Sequence, residues 1–146
     1  MRNCHSGGAH PEIRDYGPQP FVLNIHHAAT MNQNFRTTIW TGKDLQLTLM
    51  CIPVGGEIGV EMHPCVDQFI RVESGLGKVS TGNRQCDLCE TACVDENDAI
   101  LIPAGTWHNI VNTGSRPLKL YSLYAPPQHP AGTVHKTRAD AEHEGH

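Results

Sequence analysis

The chain contains two histidines, a glutamate and a glutamine at spacings that suit one divalent metal ion. Glu61 and His63 are two residues apart in a segment with a period of two, so both side chains leave the same face of a predicted strand. Gln68 begins the next predicted strand, and His108 follows a Pro-Ala-Gly turn on a strand that runs to Asn112. Carboxylate, imidazole and amide oxygen are all plausible ligands of such an ion. The predicted metal ligands are therefore Glu61, His63, Gln68 and His108.

The segment around Glu61 resembles the first motif of the cupin superfamily, whose members are small antiparallel β-barrels with a metal at the centre. Glu61-Met62-His63 fills the His-x-His position of that motif, with five residues between Gly55 and Glu61. Gly75 stands at the closing glycine of the motif, and Gln68 stands where the family has Glu. The resemblance implies that these side chains surround the metal.

The segment around His108 resembles the second cupin motif, and it is the more specific match. Pro103, Gly105, His108 and Asn112 stand at the family's spacing, while Asp98 replaces its leading Gly. The resemblance covers residues 50–125. It implies an all-β fold, the double-stranded β-helix or cupin jelly-roll barrel. Within the superfamily, the chain looks like the small single-domain cupins that are compared with mannose-6-phosphate isomerase.

Two departures from the cupin motifs bear on the metal: Glu61 stands in place of His, and Gln68 in place of Glu. The negative charge of the ligand set is unchanged, because one carboxylate is gained and one is lost. The exchange replaces a nitrogen donor by oxygen and favours harder ions such as Mn or Fe(II). We expect one divalent metal ion (Mn, Fe, Zn, Ni or Co). The alternatives are that Gln68 hydrogen-bonds a ligand or the substrate, or that the pocket holds no metal.

Composition excludes several classes of partner. The 146 residues predict one domain with a single core. The net charge is −4 and there is no basic run, which argues against nucleic acid and anionic membranes as partners. No apolar run has the length of a membrane span, and the N-terminus lacks an apolar signal core. We expect a cytoplasmic protein whose partner is a small molecule.

The chain divides into an arm, a barrel and a tail. Residues 1–20, rich in Gly and Pro, predict a flexible or extended N-terminal arm. Residues 21–128 form the barrel, and residues 129–146 form a polar tail whose histidines we expect to be solvated, although its start could fold over the barrel mouth. In cupins such arms often pair with a neighbouring subunit, so the resemblance implies a homodimer.

Several segments predict β-strands from their alternation or their β-branched and aromatic content. They are residues 21–25, 35–40, 45–52, 68–72, 78–81, 98–103 and 118–124. No segment has a long helical period. The pattern therefore indicates a protein that is nearly all β.

Three cysteines lie close together between the two motifs, at Cys86, Cys89 and Cys93. One interpretation is a second metal or an iron–sulfur cluster. That site would need a fourth ligand from elsewhere, because no second C-x-x-C follows. The favoured interpretation is a cysteine-rich surface hairpin whose thiols can oxidise.

Two residues ahead of the first motif are candidates for binding substrate. The Arg36 guanidinium can bind a carboxylate or phosphate in a forked geometry, and the alternative, favoured by the usual exposure of Arg, is a solvated side chain. Trp40 is the second candidate, and the alternative for it is packing in the core or an interface. Glu61, Tyr124 and a histidine of the tail are the candidate general bases.

The resemblance implies a metal-dependent enzyme acting on a small polar molecule, in the first place a sugar or sugar-acid isomerase. One alternative is a non-haem Fe(II) dioxygenase, because two histidines and one carboxylate are the ligand set of those enzymes. Another is a protein without catalytic activity that binds or senses a small ligand.

Overall fold

The computed structural model describes residues 12–143, which form two antiparallel sheets and two short helices. The larger sheet has six strands in the order β6-β3-β8-β2-β1-β9, and the smaller has three in the order β5-β4-β7. The strands are β1 (Arg36–Thr41), β2 (Gln46–Ile52), β3 (Asp67–Ser74), β4 (Gly77–Gly82), β5 (Cys89–Val94), β6 (Ala99–Ile102), β7 (Trp107–Asn112), β8 (Leu118–Ala125) and β9 (Val134–His135). The helices are α1 (Ile25–Met31) and α2 (Arg138–His143). The predicted all-β barrel is confirmed.

The interior of the barrel is apolar at one end and polar at the other. Alternation along β2 places Gln46, Thr48, Met50 and Ile52 on one face, in that order from polar to apolar. In β8 the corresponding inner residues are Tyr124, Ser122, Leu120 and Leu118, which pair with them across the sheet. The apolar end is the core: Phe35, Met50, Ile52, Ile58, Ile70, Val72, Val79, Val94, Ile100, Ile102, Ile110, Leu118, Leu120 and Ala141.

A second apolar cluster lies on the outer face of the larger sheet, under α1 and the described part of the arm. Residues 21–25, predicted as a strand, instead lead into α1, so that prediction was wrong. The helix begins there because Asn24 caps it: its side chain accepts a hydrogen bond of 2.9 Å from the backbone N–H of His27. Ala29 of α1 then packs with Leu47 and Leu49 of β2.

Within the predicted arm, residues 12–20 lie against the barrel, while residues 1–11 are outside the described part. The backbone N–H of Tyr16 donates to the carbonyl of Ile39 at 2.8 Å. Asp15 accepts from the hydroxyl of Thr41 at 2.6 Å and from the N–H of Gly132 at 3.1 Å. The arm is thereby joined both to β1 and to the C-terminal segment. The homodimer implied by the resemblance stays a prediction.

The segment after residue 128, predicted as a polar tail, is part of the fold as far as residue 143. Strand β9 pairs with β1, Arg36 opposite His135, and Ala141 of α2 lies in the core. His129 and His135 are buried, so the expectation of solvated histidines was wrong for both. Neither helix in residues 12–143 has the length and apolarity that crossing a membrane requires.

The cysteine-rich segment forms the hairpin between β4 and β5. Cys86, Cys89 and Cys93 are all exposed. Within residues 12–143 they do not belong to any group of side chains spaced to hold a metal. This placement agrees with a surface hairpin that carries free thiols.

Candidate metal centre

Glu61, His63 and His108 bring one oxygen and two nitrogen atoms together at the polar end of the barrel. Oε1 of Glu61 lies 3.5 Å from Nε2 of His63 and 3.5 Å from Nε2 of His108. All three ligand atoms lie within 4.8 Å of one another. Metal–ligand bonds of about 2.1 Å separate tetrahedral ligand atoms by about 3.4 Å, so this spacing fits a metal ion.

The two motifs are held together by backbone hydrogen bonds. The N–H of Glu61 donates to the carbonyl of His108 at 3.0 Å, and the N–H of His108 donates to the carbonyl of Glu61 at 2.9 Å. The N–H of Gly105 in the second turn donates to the carbonyl of His63 at 2.8 Å. The ligand side chains are therefore positioned by paired backbone and not by loops alone.

The imidazole of His108 is oriented for metal binding. Its Nδ1 lies 2.9 Å from the carbonyl oxygen of Thr106, which can only accept, so Nδ1 carries the proton and Nε2 offers its lone pair. Nε2 of His108 and Nε2 of His63 are buried and have no hydrogen-bond partner within residues 12–143. Buried nitrogens left in this state are costly without a ligand. The donors therefore fit a metal both in spacing and in chemistry.

Glu61 is held as a carboxylate. Burial raises its pKa, but the imidazoles of His108 and His63, whose Nε2 atoms face the carboxylate, together with the charge of Arg36 outweigh burial and hold that pKa well below its usual range. An ionised carboxylate is the form that binds a cation. A recess of about 240 Å³, lined by Val60, Arg138 and Glu142 among others, reaches Glu61 from the surface beside α2.

Gln68 lies on the inner face of β3, opposite Tyr124 of β8. Its Nε2 donates to the hydroxyl of Ser122 at 3.2 Å, whereas its Oε1 is buried and has no hydrogen-bond partner among the described residues. The amide thus offers an oxygen, the atom that a metal or a polar ligand would use. Whether Gln68 binds the metal itself stays a prediction.

Arg36 is inside the barrel. Its side chain is 1% exposed, so the alternative of a solvated arginine was wrong. Nη1 lies 3.2 Å from Nδ1 of His135 on the neighbouring strand β9. The charge of Arg36 also acts to lower the pKa of Glu61 and opposes the rise that burial causes in the pKa of Tyr124.

Tyr124 is fully buried among the ligands. Its ring meets His63 edge-on at 5.7 Å between centroids and His129 at 5.2 Å. Burial raises the pKa of its phenol, ahead of the opposing effect of Arg36, so the hydroxyl stays protonated at neutral pH. A protonated phenol can donate a proton or a hydrogen bond, and the role of Tyr124 as a general base stays a prediction.

Trp40 is outside the polar interior, contrary to its selection as a substrate-binding residue. The pairing of β1 with β2 shifts between Thr38 and Trp40, and the bulge turns both Ile39 and Trp40 towards the outer cluster. Nε1 of Trp40 donates to the carbonyl of Gln19 at 2.6 Å. Trp40 therefore holds the arm against the sheet.

Sequence reasoning missed Gln46, and it named His129 and His135 only as histidines of the tail; these two lie against Tyr124 and Arg36. The side-chain amide of Gln46 accepts from the N–H of His129 at 2.9 Å and donates to its carbonyl at 2.7 Å. A polar residue at an inward position of an alternating strand was the signal for Gln46. The two histidines gave no such signal, because their segment is polar throughout.

Known proteins resemble this chain in sequence and in fold. A family model described as a cupin domain matches residues 48–124. The uncharacterized protein YrkC of Bacillus subtilis is 56% identical over 129 residues, which are 88% of this chain and 69% of that protein. The crystal structure of BH2720 from Bacillus halodurans has a TM-score of 0.88 and 58% identity over 90% of this chain and 99% of that chain. A Klebsiella pneumoniae protein with a double-stranded β-helix domain has a TM-score of 0.58 and 22% identity over 73% of this chain and 88% of that chain.

The motifs, the sheet topology and these similarities agree with one another. The chain belongs to the cupin superfamily, and its barrel is a double-stranded β-helix.

Proposed function

We propose that this protein is a metal-dependent cupin that acts on a small polar molecule, in the first place as a sugar or sugar-acid isomerase. The observation that supports it is the convergence of the Glu61 carboxylate with two histidine Nε2 atoms that have no hydrogen-bond partner among the described residues. Three protein ligands leave coordination positions open for a substrate. Such a site suits a substrate with a hydroxyl beside a carbonyl.

A divalent metal in this site would supply Lewis acidity that polarises the substrate carbonyl. The groups that transfer protons would be side chains of the protein. Glu61 is kept ionised, and the protonated phenol of Tyr124 is a proton donor next to His63. His129 contacts the Tyr124 ring and is the histidine of the C-terminal segment best placed to take the proton that moves between adjacent carbons.

The proposal is tested by metal analysis of protein purified without oxygen, followed by incubation with aldoses, ketoses and uronic acids in deuterated water. An isomerase incorporates deuterium at the carbon that exchanges its proton, which nuclear magnetic resonance detects. His63→Ala should abolish both metal and exchange. Stoichiometric metal without exchange on any of these substrates would contradict the isomerase.

A second candidate is a non-haem Fe(II) dioxygenase. Two histidines and one carboxylate are the ligand set of such enzymes, and Glu61, His63 and His108 provide it. Fe(II) as the preferred metal, together with substrate-dependent oxygen uptake, would favour it over isomerisation. Activity retained with redox-inactive Zn would rule it out.

A third candidate is a binding or sensing protein without catalytic activity. It is favoured by the burial of Tyr124, which raises the pKa of its phenol and makes this candidate base a poorer acceptor of protons from a substrate at neutral pH. Tight binding of a small ligand without turnover, in protein fully loaded with metal, would identify it.

A further inference from the structure

The three predicted metal ligands differ in their access to solvent. The side chain of Glu61 is 14% exposed, whereas those of His63 and His108 are 5% and 1% exposed. At the polar end of the barrel, the described part of the chain closes the interior, because Tyr124 and His129 are both buried there. A molecule that binds the metal therefore reaches it most directly from the side on which Glu61 lies.

Two recesses lie on that side of the barrel, next to α2. The inner recess has a volume of about 240 Å³ and is lined by Glu61 and by Glu142 of α2, among others. The outer recess has a volume of about 310 Å³ and includes Lys136 in its lining. Phe35 and Arg138 line both recesses. These two side chains therefore form the boundary between the outer recess and the one that reaches Glu61.

One wall of the inner recess is the backbone around Gly59, which is fixed to β7. The N–H of Gly59 donates to Oδ1 of Asn109 at 2.9 Å, and the backbone of Glu61 pairs with that of His108. A Cβ atom built on Gly59 would lie 2.7 Å from Nη2 of Arg138, which is closer than real side chains approach. The guanidinium of Arg138 therefore covers the wall at a residue without a side chain.

The opposite wall is α2, whose attachment to the barrel is slight. Among the described residues of this helix, Ala141 is the one that is buried. Nη2 of Arg138 lies 3.1 Å from Oε1 of Glu142, one turn along the same helix, and both side chains are partly exposed. A movement of α2 away from Gly59 therefore preserves this ion pair. A short helix with one buried side chain opens more readily than paired strands do.

We propose that the metal site is entered from the side of the barrel, through the gap between Gly59 and α2, and that Arg138 is the gate of this entrance. The inference rests on the proposed metal site and adds the route by which metal and small molecules reach it. A gate changes the barrier to passage but not the contacts of the bound metal. It should therefore change the rates of metal uptake and release by the same factor and leave the dissociation constant unchanged.

The test is rapid mixing of the whole protein with Co(II), followed by release of the bound Co(II) to EDTA. We expect Arg138→Gln to raise both rates by about 10-fold and to leave the dissociation constant within about 2-fold of the parent value. Glu142→Gln releases Arg138 from its ion pair and should raise both rates by a smaller factor. Arg116→Gln, at an exposed arginine paired with Glu96, is the matched control and should behave like the parent. Parental rates in Arg138→Gln, or a dissociation constant that changes as much as the release rate, would overturn the gate.

A second measurement separates this inference from the proposed function. Diethyl pyrocarbonate modifies neutral imidazoles, and mass spectrometry of peptides gives the rate at each histidine in the metal-free protein. Arg138→Gln should speed the modification of His63, whereas His129 at the closed polar end should react as in the parent. Protein that binds no Co(II) contradicts the proposed function, and faster modification of His63 alone would still support the gate. Equal rates at His63 in parent and variant, or the same acceleration at His129, would overturn it.

Discussion

The side-chain amide of Gln68 donates from Nε2 to the hydroxyl of Ser122 across the β3–β8 pair, at 3.2 Å. In this contact the nitrogen of the amide is used by Ser122 and the oxygen is left to face the interior. Oε1 has no hydrogen-bond partner among the described residues. Gln68 thus presents an amide oxygen at the position where the cupin motif has a carboxylate.

Replacing Gln68 should change metal affinity in two directions. Gln68→Glu adds a negative oxygen donor while Ser122 can still donate to its second oxygen, so we expect tighter metal binding and slower turnover through weaker Lewis acidity. Gln68→Ala removes only a neutral donor and should weaken binding less than His63→Ala does. Metal titration by calorimetry measures both. Identical affinities for the parent and Gln68→Glu would place Gln68 outside the coordination sphere.

Replacing any of the three charged or imidazole ligands should remove the metal. Glu61→Ala, His63→Ala and His108→Ala should each lose the metal and the stability linked to it, about 3 kcal/mol when free metal exceeds the dissociation constant by about 100-fold. Thermal unfolding with and without added metal reports the linked stability. If His108→Ala binds metal as tightly as the parent, the pocket must be interpreted as metal-free.

Gln46 joins β2 to the segment that closes the polar end of the barrel. Its buried amide makes hydrogen bonds with the backbone N–H and carbonyl of His129 and with the N–H of Gln128. Gln46→Ala leaves buried backbone groups without partners and should lower the free energy of unfolding by about 2–4 kcal/mol. Urea unfolding checks this, with the exposed Gln85→Ala as control. A loss equal to that of the control would mean that the closing segment is held elsewhere.

Asp15 should stabilise the fold in a pH-dependent way. Burial raises the pKa of Asp15, but hydrogen bonds from Thr41, Gly17 and Gly132 outweigh it and leave the pKa below its usual value. A lowered folded-state pKa adds stability above the unfolded value of about 3.9, and this stability is lost as the pH falls through the folded value. Asp15→Asn should therefore cost about 1 kcal/mol at pH 7 and less below pH ~4.

Unfolding measured from pH 7 to pH 3 tests the Asp15 prediction, with Asp44→Asn at an exposed carboxylate as the control. A difference between parent and Asp15→Asn that is constant across this range would show that the carboxylate charge has no part in holding the arm.

The cysteines of the hairpin should have no effect on the metal. Replacing Cys86, Cys89 and Cys93 together by Ser should leave about one metal per chain, because the described structure gathers no ligand group around them. Metal analysis and the visible spectrum are the measurements. Loss of a second metal equivalent, or of iron–sulfur absorbance, would restore the interpretation as a second site.

The motif spacing predicted the polar end of the barrel well because the ligands are fixed by local rules. A period of two puts Glu61 and His63 on one face, and the Pro-Ala-Gly turn delivers His108 opposite them. The prediction for Trp40 was wrong because a bulge in β1 reverses the face of the sheet on which Trp40 lies. Such a bulge has no recognisable signal in a β-branched sequence. The composition of residues 21–25 is typical of a strand, but the N-cap at Asn24 begins a helix there.

The burial of Arg36, His129 and His135 could not be predicted from composition. It depends on the pairing of β9 with β1, a contact between residues 99 apart in the chain for Arg36 and His135. A polar segment buries its side chains only when a partner strand and a polar interior are available to it. The partner strand and the polar interior come together only in the complete fold, so a local sequence pattern does not predict them.

Because the barrel interior has an apolar end and a polar end, the same strands supply the hydrophobic core at one end and the candidate site at the other. Leu118 and Leu120 hold one half of β8 in the core, while Ser122 and Tyr124 on the other half contact Gln68 and His63. Substitutions at the polar end should therefore leave the packing of the apolar end intact. The candidate site therefore depends on the strand register, because a slip of one residue would turn Gln46, Thr48 and their partners out of the barrel.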